Sequence, residues 1–149
     1  MRPPGRVLAV LALLFAASIG LSAAATARLP VSRGATATDI VVPIRLESAD
    51  GVTAMDFSFD YDATVARPTG VFRTTYTQSY ALSSSLATPG RVSLSLSAGT
   101  PLVGSGEVAW IVFRLQSPSG QGPLAWFSCS LNGGTLPCTT QNGTLTIAT

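Results

Sequence analysis

The chain has 149 residues, enough for one domain, with nine arginines, seven acidic residues and neither lysine nor histidine. Without histidine there is no Ser-His triad and no imidazole ligand for a metal, and without lysine no Schiff base. A glycosidase needs two carboxylates facing one cleft, whereas the acidic residues of the most regular strand share a flat face, so the sequence reads as non-enzymatic.

Residues 1–27 read as a secretory signal. Arg2 and Arg6 supply a positive start, Val7 to Leu21 an apolar run, and Ala25-Thr26-Ala27 a small-x-small cleavage site. The run is short and no charged stop-transfer cluster follows, which argues against a membrane anchor, and no later stretch would span a bilayer. The expected location is therefore secreted, either extracellular or at the cell surface. Losing Arg2 and Arg6 leaves seven arginines against seven acidic residues. A formally neutral domain without a basic stripe is no candidate for nucleic acid. Residues 28–38 read as a flexible lead-in, and residues 39–149 as the folded domain.

Asp39 to Glu47 predicts the first strand, with Ile40, Val42, Ile44 and Leu46 on one side. Pro43 falls on the other side and, lacking an N–H, points to an edge or a break in the ladder. Gly51 to Asp62 alternates strictly. Met55, Phe57, Phe59 and Tyr61 face one way, and Asp56, Ser58, Asp60 and Asp62 the other. Such a period of two makes a half-buried strand, here central in its sheet. Val65 to Thr74 predicts the next strand, disturbed by Pro68 and Gly70. Thr75 to Thr88 reads as a long connection holding one short strand. Arg91 to Ala98 alternates again, with Val92, Leu94 and Leu96 against Ser93, Ser95 and Ser97. Glu107 to Gln116 is apolar on both sides, as in a central strand. If Ile111 and Phe113 point inward, Trp110 and Val112 point outward. Leu124 to Leu131 and Thr144 to Ile147 complete the set.

Cys129 and Cys138 flank Asn132-Gly133-Gly134, a hairpin signal, and secretion permits a disulfide across it. Two thiols without histidine make a poor metal site, and their spacing is wrong for a redox pair. No capped helix-period segment occurs after the signal. Short strands separated by turns predict an all-β fold, a two-sheet antiparallel β-sandwich.

Three further groups invite a functional reading. Asp56, Asp60 and Asp62 suit a partner's donors or a calcium ion, against the plainer reading of a solvated strand face. Trp110, Trp126, Tyr76 and Tyr80 suit sugar stacking, against packing beneath loops. Asn142-Gly143-Thr144 fits the glycosylation pattern, against a turn before the last strand.

The order of these segments resembles a cohesin domain from about Ala35 to Ile147. The carriers are D-I-V-V-P-I-R-L, G-V-T-A-M-D-F-S-F-D-Y-D, Gly90-Arg91-Val92 with its Ser-Leu strand, the Gly-x-Gly before E-V-A-W-I-V-F-R-L, and N-G-T-L-T-I. The resemblance implies a jelly-roll sandwich of about nine strands that is not an enzyme and docks a dockerin module. Calcium would belong to the dockerin, so no cofactor is expected here. It also implies an extracellular assembly devoted to polysaccharide breakdown. Asp56 matches an acidic residue that family members use toward dockerin. The docking face expected around it comprises Asp56, Ser58, Ser93, Ser95, Trp110 and Val112. The chain departs from the family's pattern in its serine-lined middle strand, in Gly99 and in the cysteine pair. The alternative on the same fold is a carbohydrate-binding module, which needs exposed, coplanar aromatics.

Overall fold

The computed structural model describes residues 24–148. Eleven strands fill that span: β1 (Ala25–Arg28), β2 (Val31–Ala35), β3 (Asp39–Glu47), β4 (Ala54–Asp60), β5 (Ala66–Arg73), β6 (Ala81–Ser85), β7 (Arg91–Ser97), β8 (Gly106–Leu115), β9 (Gly120–Leu131), β10 (Cys138–Gln141) and β11 (Gly143–Ala148). A 3₁₀ turn at Asn132–Gly134 joins β9 to the segment before β10. The strands make a sandwich of two sheets, one ordered β10-β1-β3-β8-β5 and the other β2-β11-β9-β4-β7-β6. Among the described residues no helix is long and apolar enough to cross a membrane.

The alternation read from sequence builds the core. From the six-stranded sheet, Met55, Phe57, Phe59, Val92, Leu94 and Leu96 point inward, and all are buried. They meet Val42, Ile44 and Leu46 of β3 and Ala109, Ile111, Phe113 and Leu115 of β8, which are buried too. Phe113 bridges the sheets, its ring 6.4 Å from Phe59 and 5.3 Å edge-on from Tyr61. As expected, β4 lies inside its sheet, between β7 and β9.

Pro43 does not mark an edge, because β3 runs between β1 and β8. The proline is tolerated because β1 reaches only to Arg28, opposite Arg45, so the ladder on that side ends before Pro43.

Two strands beyond the expected nine come from the N-terminal stretch. The segment read as a flexible lead-in contains β2, which pairs in parallel with β11 from Val31 to Ala35. The residues read as a cleavage site form β1, paired with β3 and, in parallel, with β10. Ala27 is fully buried. The remainder of the predicted signal, residues 1–23, lies outside the described residues. Only Leu29-Pro30 separates β1 in one sheet from β2 in the other. That crossing presses on Gly143, where a Cβ would come within 2.1 Å of the Pro30 carbonyl oxygen. The Asn142-Gly143 turn therefore needs glycine for close approach of two backbones. Asn142 is also committed, its Oδ1 accepting the Trp126 N–H at 3.0 Å.

Cys129 and Cys138 form a disulfide with Cα atoms 6.1 Å apart. It does not cross a two-stranded hairpin. β9 belongs to the six-stranded sheet and β10 to the five-stranded one, so the bond clasps the two layers at one corner.

Candidate functional site

The outer face of β9-β4-β7-β6 is polar and rich in serine. It follows from period two: with the apolar members of β4 and β7 inside, Asp56, Ser58 and Asp60 and then Arg91, Ser93 and Ser95 must face out. Register sets them in cross-strand rows. One row pairs Ser83 with Ser95, Ser95 with Asp56 and Asp56 with Ser130. The next pairs Ser85 with Ser93, Ser93 with Ser58 and Ser58 with Ser128. Small side chains leave a shallow depression over Ser58, Ser93 and Ser95 with Asp56 beside it.

The rows are knitted internally. The Ser58 and Ser93 hydroxyls lie 2.7 Å apart, and Ser95 donates to Asp56 Oδ1 at 2.5 Å. Asp56 Oδ2 has no partner among the described residues, and the side chain is exposed. At the end of β4, Asp60 is neutralised by Arg91 through a bidentate pair, Nε to Oδ1 at 2.7 Å and Nη2 to Oδ2 at 3.2 Å. The Asp60 hydrogen bonds push the Arg91 guanidinium further up from its ordinary value, so it stays a cation. Its Cζ lies 3.5 Å over the Phe127 ring, a cation–π contact. Phe127 is the extra residue of a bulge in β9, which turns the ring out onto this face. One end of the face thus carries an arginine-aromatic ridge and the middle an acidic group in a serine field.

The structure brings four expected site residues together: Asp56, Ser58, Ser93 and Ser95. It places Trp110 and Val112 elsewhere. Both point outward as alternation requires, but β8 pairs with β3 and β5 in the opposite sheet. Alternation tells inside from outside and carries no information on which sheet a strand joins. Arg91, Asp60, Phe127 and the serines of β6 and β9 belong to the face and were not among the expected residues. Asp60 and Arg91 were legible as outward positions; Phe127 was not, because a bulge leaves no mark in the alternation.

Among the described residues the acidic side chains form no cluster of three that could hold a metal ion. Asp60 is taken by Arg91, and Asp62 Oδ1 accepts from the Thr64 N–H at 2.9 Å and its hydroxyl at 2.6 Å. Those two bonds, the hydroxyl's first, hold the Asp62 carboxyl below the usual range. The other aromatics pack. Tyr80 is buried, its hydroxyl 2.9 Å and 2.8 Å from the carbonyls of Val52 and Thr100. Tyr76 lies over Gly106 and donates to the Val103 carbonyl. Trp126 sits edge-on to Phe57 and Phe59 and donates to the Gln141 carbonyl.

The family model described as "Cohesin domain" matches residues 26–130, well over half of the chain. The chain belongs to the cohesin family. Solved cohesins share the fold. A non-cellulosomal cohesin from the archaeon Archaeoglobus fulgidus superposes with a TM-score of 0.77 at 20% identity, covering 85% of this cohesin and 93% of that chain. The sixth cohesin of Acetivibrio cellulolyticus scaffoldin B, solved with a Cel5 dockerin mutant, gives 0.71 at 16%, covering 85% and 100%. The cohesin CaCohA2 of Clostridium acetobutylicum gives 0.71 at 18%, covering 85% and 92%. A search of curated proteins finds none that matches this cohesin.

Proposed function

We propose that this cohesin is a secreted, non-catalytic docking module that holds a dockerin-type partner on the outer face of β9-β4-β7-β6, within an extracellular assembly that acts on polysaccharide. The observation that carries the reading is Asp56: an exposed carboxylate with one oxygen fixed by Ser95 and the other free, set in a field of serines. Small side chains let a helix lie close, and a fixed, charged acceptor gives that helix a point of register. Solved relatives bound to dockerins support it. Calcium would be held by the partner, and the face described needs none of its own.

The test is calorimetric titration with a dockerin module encoded by the same organism, with calcium present and then chelated. Asp56→Ala is expected to weaken binding by about tenfold to a hundredfold, the range for a hydrogen bond to a charged group. Chelation is expected to abolish it. Unchanged affinity in Asp56→Ala, with loss in Trp110→Ala, would move the interface to the other sheet and overturn the proposal.

A further inference from the structure

The opposite sheet carries a second surface with different chemistry. Phe72 of β5 and Trp110 of β8 stand directly across from each other and are 53% and 39% exposed. Neither ring is loose. Phe72 folds back over Gly70, where a Cβ would come within 2.8 Å of the ring. Trp110 leans the other way along the strands, its Nε1–H donating to Glu107 Oε1 at 2.9 Å. The two exposed rings thus rise from paired positions and lean apart along the strands. Next to Trp110 the segment after β5 curls past to form a hollow whose lining includes Arg73, Thr75 and Gln78. Arg73 Nη1 donates to the carbonyls of Gln78 at 3.3 Å and Tyr80 at 2.7 Å, which fixes that wall. The Thr75 and Gln78 side chains are exposed and make no hydrogen bond among the described residues.

We propose that this hollow is a glycan site, taking one or two pyranose rings of a polysaccharide chain against Trp110 and Phe72. A pyranose presents a flat C–H face, which stacks on an aromatic ring, and a rim of hydroxyls. Here the rim would meet Thr75, Gln78 and the free donors of Arg73. Arg73 and Glu107 make no ion pair among the described residues, but both are held in place, Glu107 by the indole and Arg73 by two carbonyls. The site is on the sheet opposite Asp56, so it is independent of the docking proposal, and a chain with both would hold a partner and its polysaccharide substrate at once.

The experiment is titration of the full chain with cellohexaose, xylohexaose and mannohexaose, read by calorimetry and tryptophan emission. At least one hexaose is expected to bind and to change the emission. Trp110→Ala should weaken that binding about tenfold or more, and Phe72→Ala by a smaller factor. Asp56→Ala should bind the sugar as the parent does, and Trp110→Ala should leave dockerin titration unchanged, so failure of either proposal is read separately. Absence of binding to all three hexaoses, or equal binding by both aromatic variants, overturns the glycan site. So does a concentration-dependent dimer abolished by Trp110→Ala, since a second copy would then be the occupant.

Discussion

At Asn132 one side chain satisfies three backbone groups. Its Oδ1 accepts the N–H of Thr53 at 2.8 Å and of Ala54 at 3.0 Å, and its Nδ2 donates to the Gly51 carbonyl at 2.9 Å. It thereby ties the turn after β9 to the head of β4, the strand that carries Asp56. Its φ of +51° is one that asparagine adopts more readily than most residues. Asn132→Ala strands two N–H groups and puts an ordinary side chain at positive φ. We expect a loss of about 2–4 kcal/mol, measured by urea unfolding. Asn132→Asp keeps the acceptor and forfeits only the donor to Gly51, so its loss should be smaller. Equal stability of Asn132→Ala and the parent would mean that water replaces the side chain at no cost. The sequence shows Asn-Gly-Gly as a turn, but the partners lie 78 to 81 residues away, and nothing local announces them.

The elements divide by how much of their reason for existing is local. β4 and β7 were legible because their own residues alternate over a full strand length, and β8 because it is apolar on both sides. β1 and β2 were not. Ala-Thr-Ala-Arg and Val-Ser-Arg-Gly-Ala have too little apolar periodicity, and they become strands through partners elsewhere in the chain, β1 through β3 and the parallel edge of β10, β2 through the parallel edge of β11 more than a hundred residues on. The site divides the same way. The outward set on β4 and β7 was legible, while Trp110 and Val112 were assigned to the wrong sheet for want of pairing information. This bears on processing. Cleavage after Ala27 would delete buried Ala25 and Ala27, the Ala25 N–H bond to Pro137 and the Thr139 bond to the Ala25 carbonyl. If the leader is removed as proposed, the cut should fall upstream of β1, and Ser22-Ala23-Ala24 supplies another small-x-small site there. N-terminal sequencing of the secreted protein should then read from Ala25. A mature chain starting at Arg28 would show that the secreted fold does without β1.

At the scale of the whole molecule the two proposed surfaces lie back to back, and what joins them is the core plus one covalent clasp. The Cys129–Cys138 bond links β9, whose outer face carries Ser128 and Ser130, to β10, a four-residue edge strand of the other sheet. Two effects of removing it can be told apart. A short loop of nine residues' separation restrains the unfolded chain, and chain entropy puts its loss at about 2–3 kcal/mol. The native effect is local. β9 stays paired with β4 from Ala125 to Leu131, so the docking face keeps its register, whereas β10 keeps only β1. The double variant Cys129→Ser, Cys138→Ser should therefore lose urea stability while binding dockerin as before. Its amide exchange should rise most along β10 and β1. A uniform rise matched to the global loss would assign the whole effect to the unfolded chain. Weakened docking would instead make the clasp a positioning element for β9, linking the partner face mechanically to the sheet that bears Trp110.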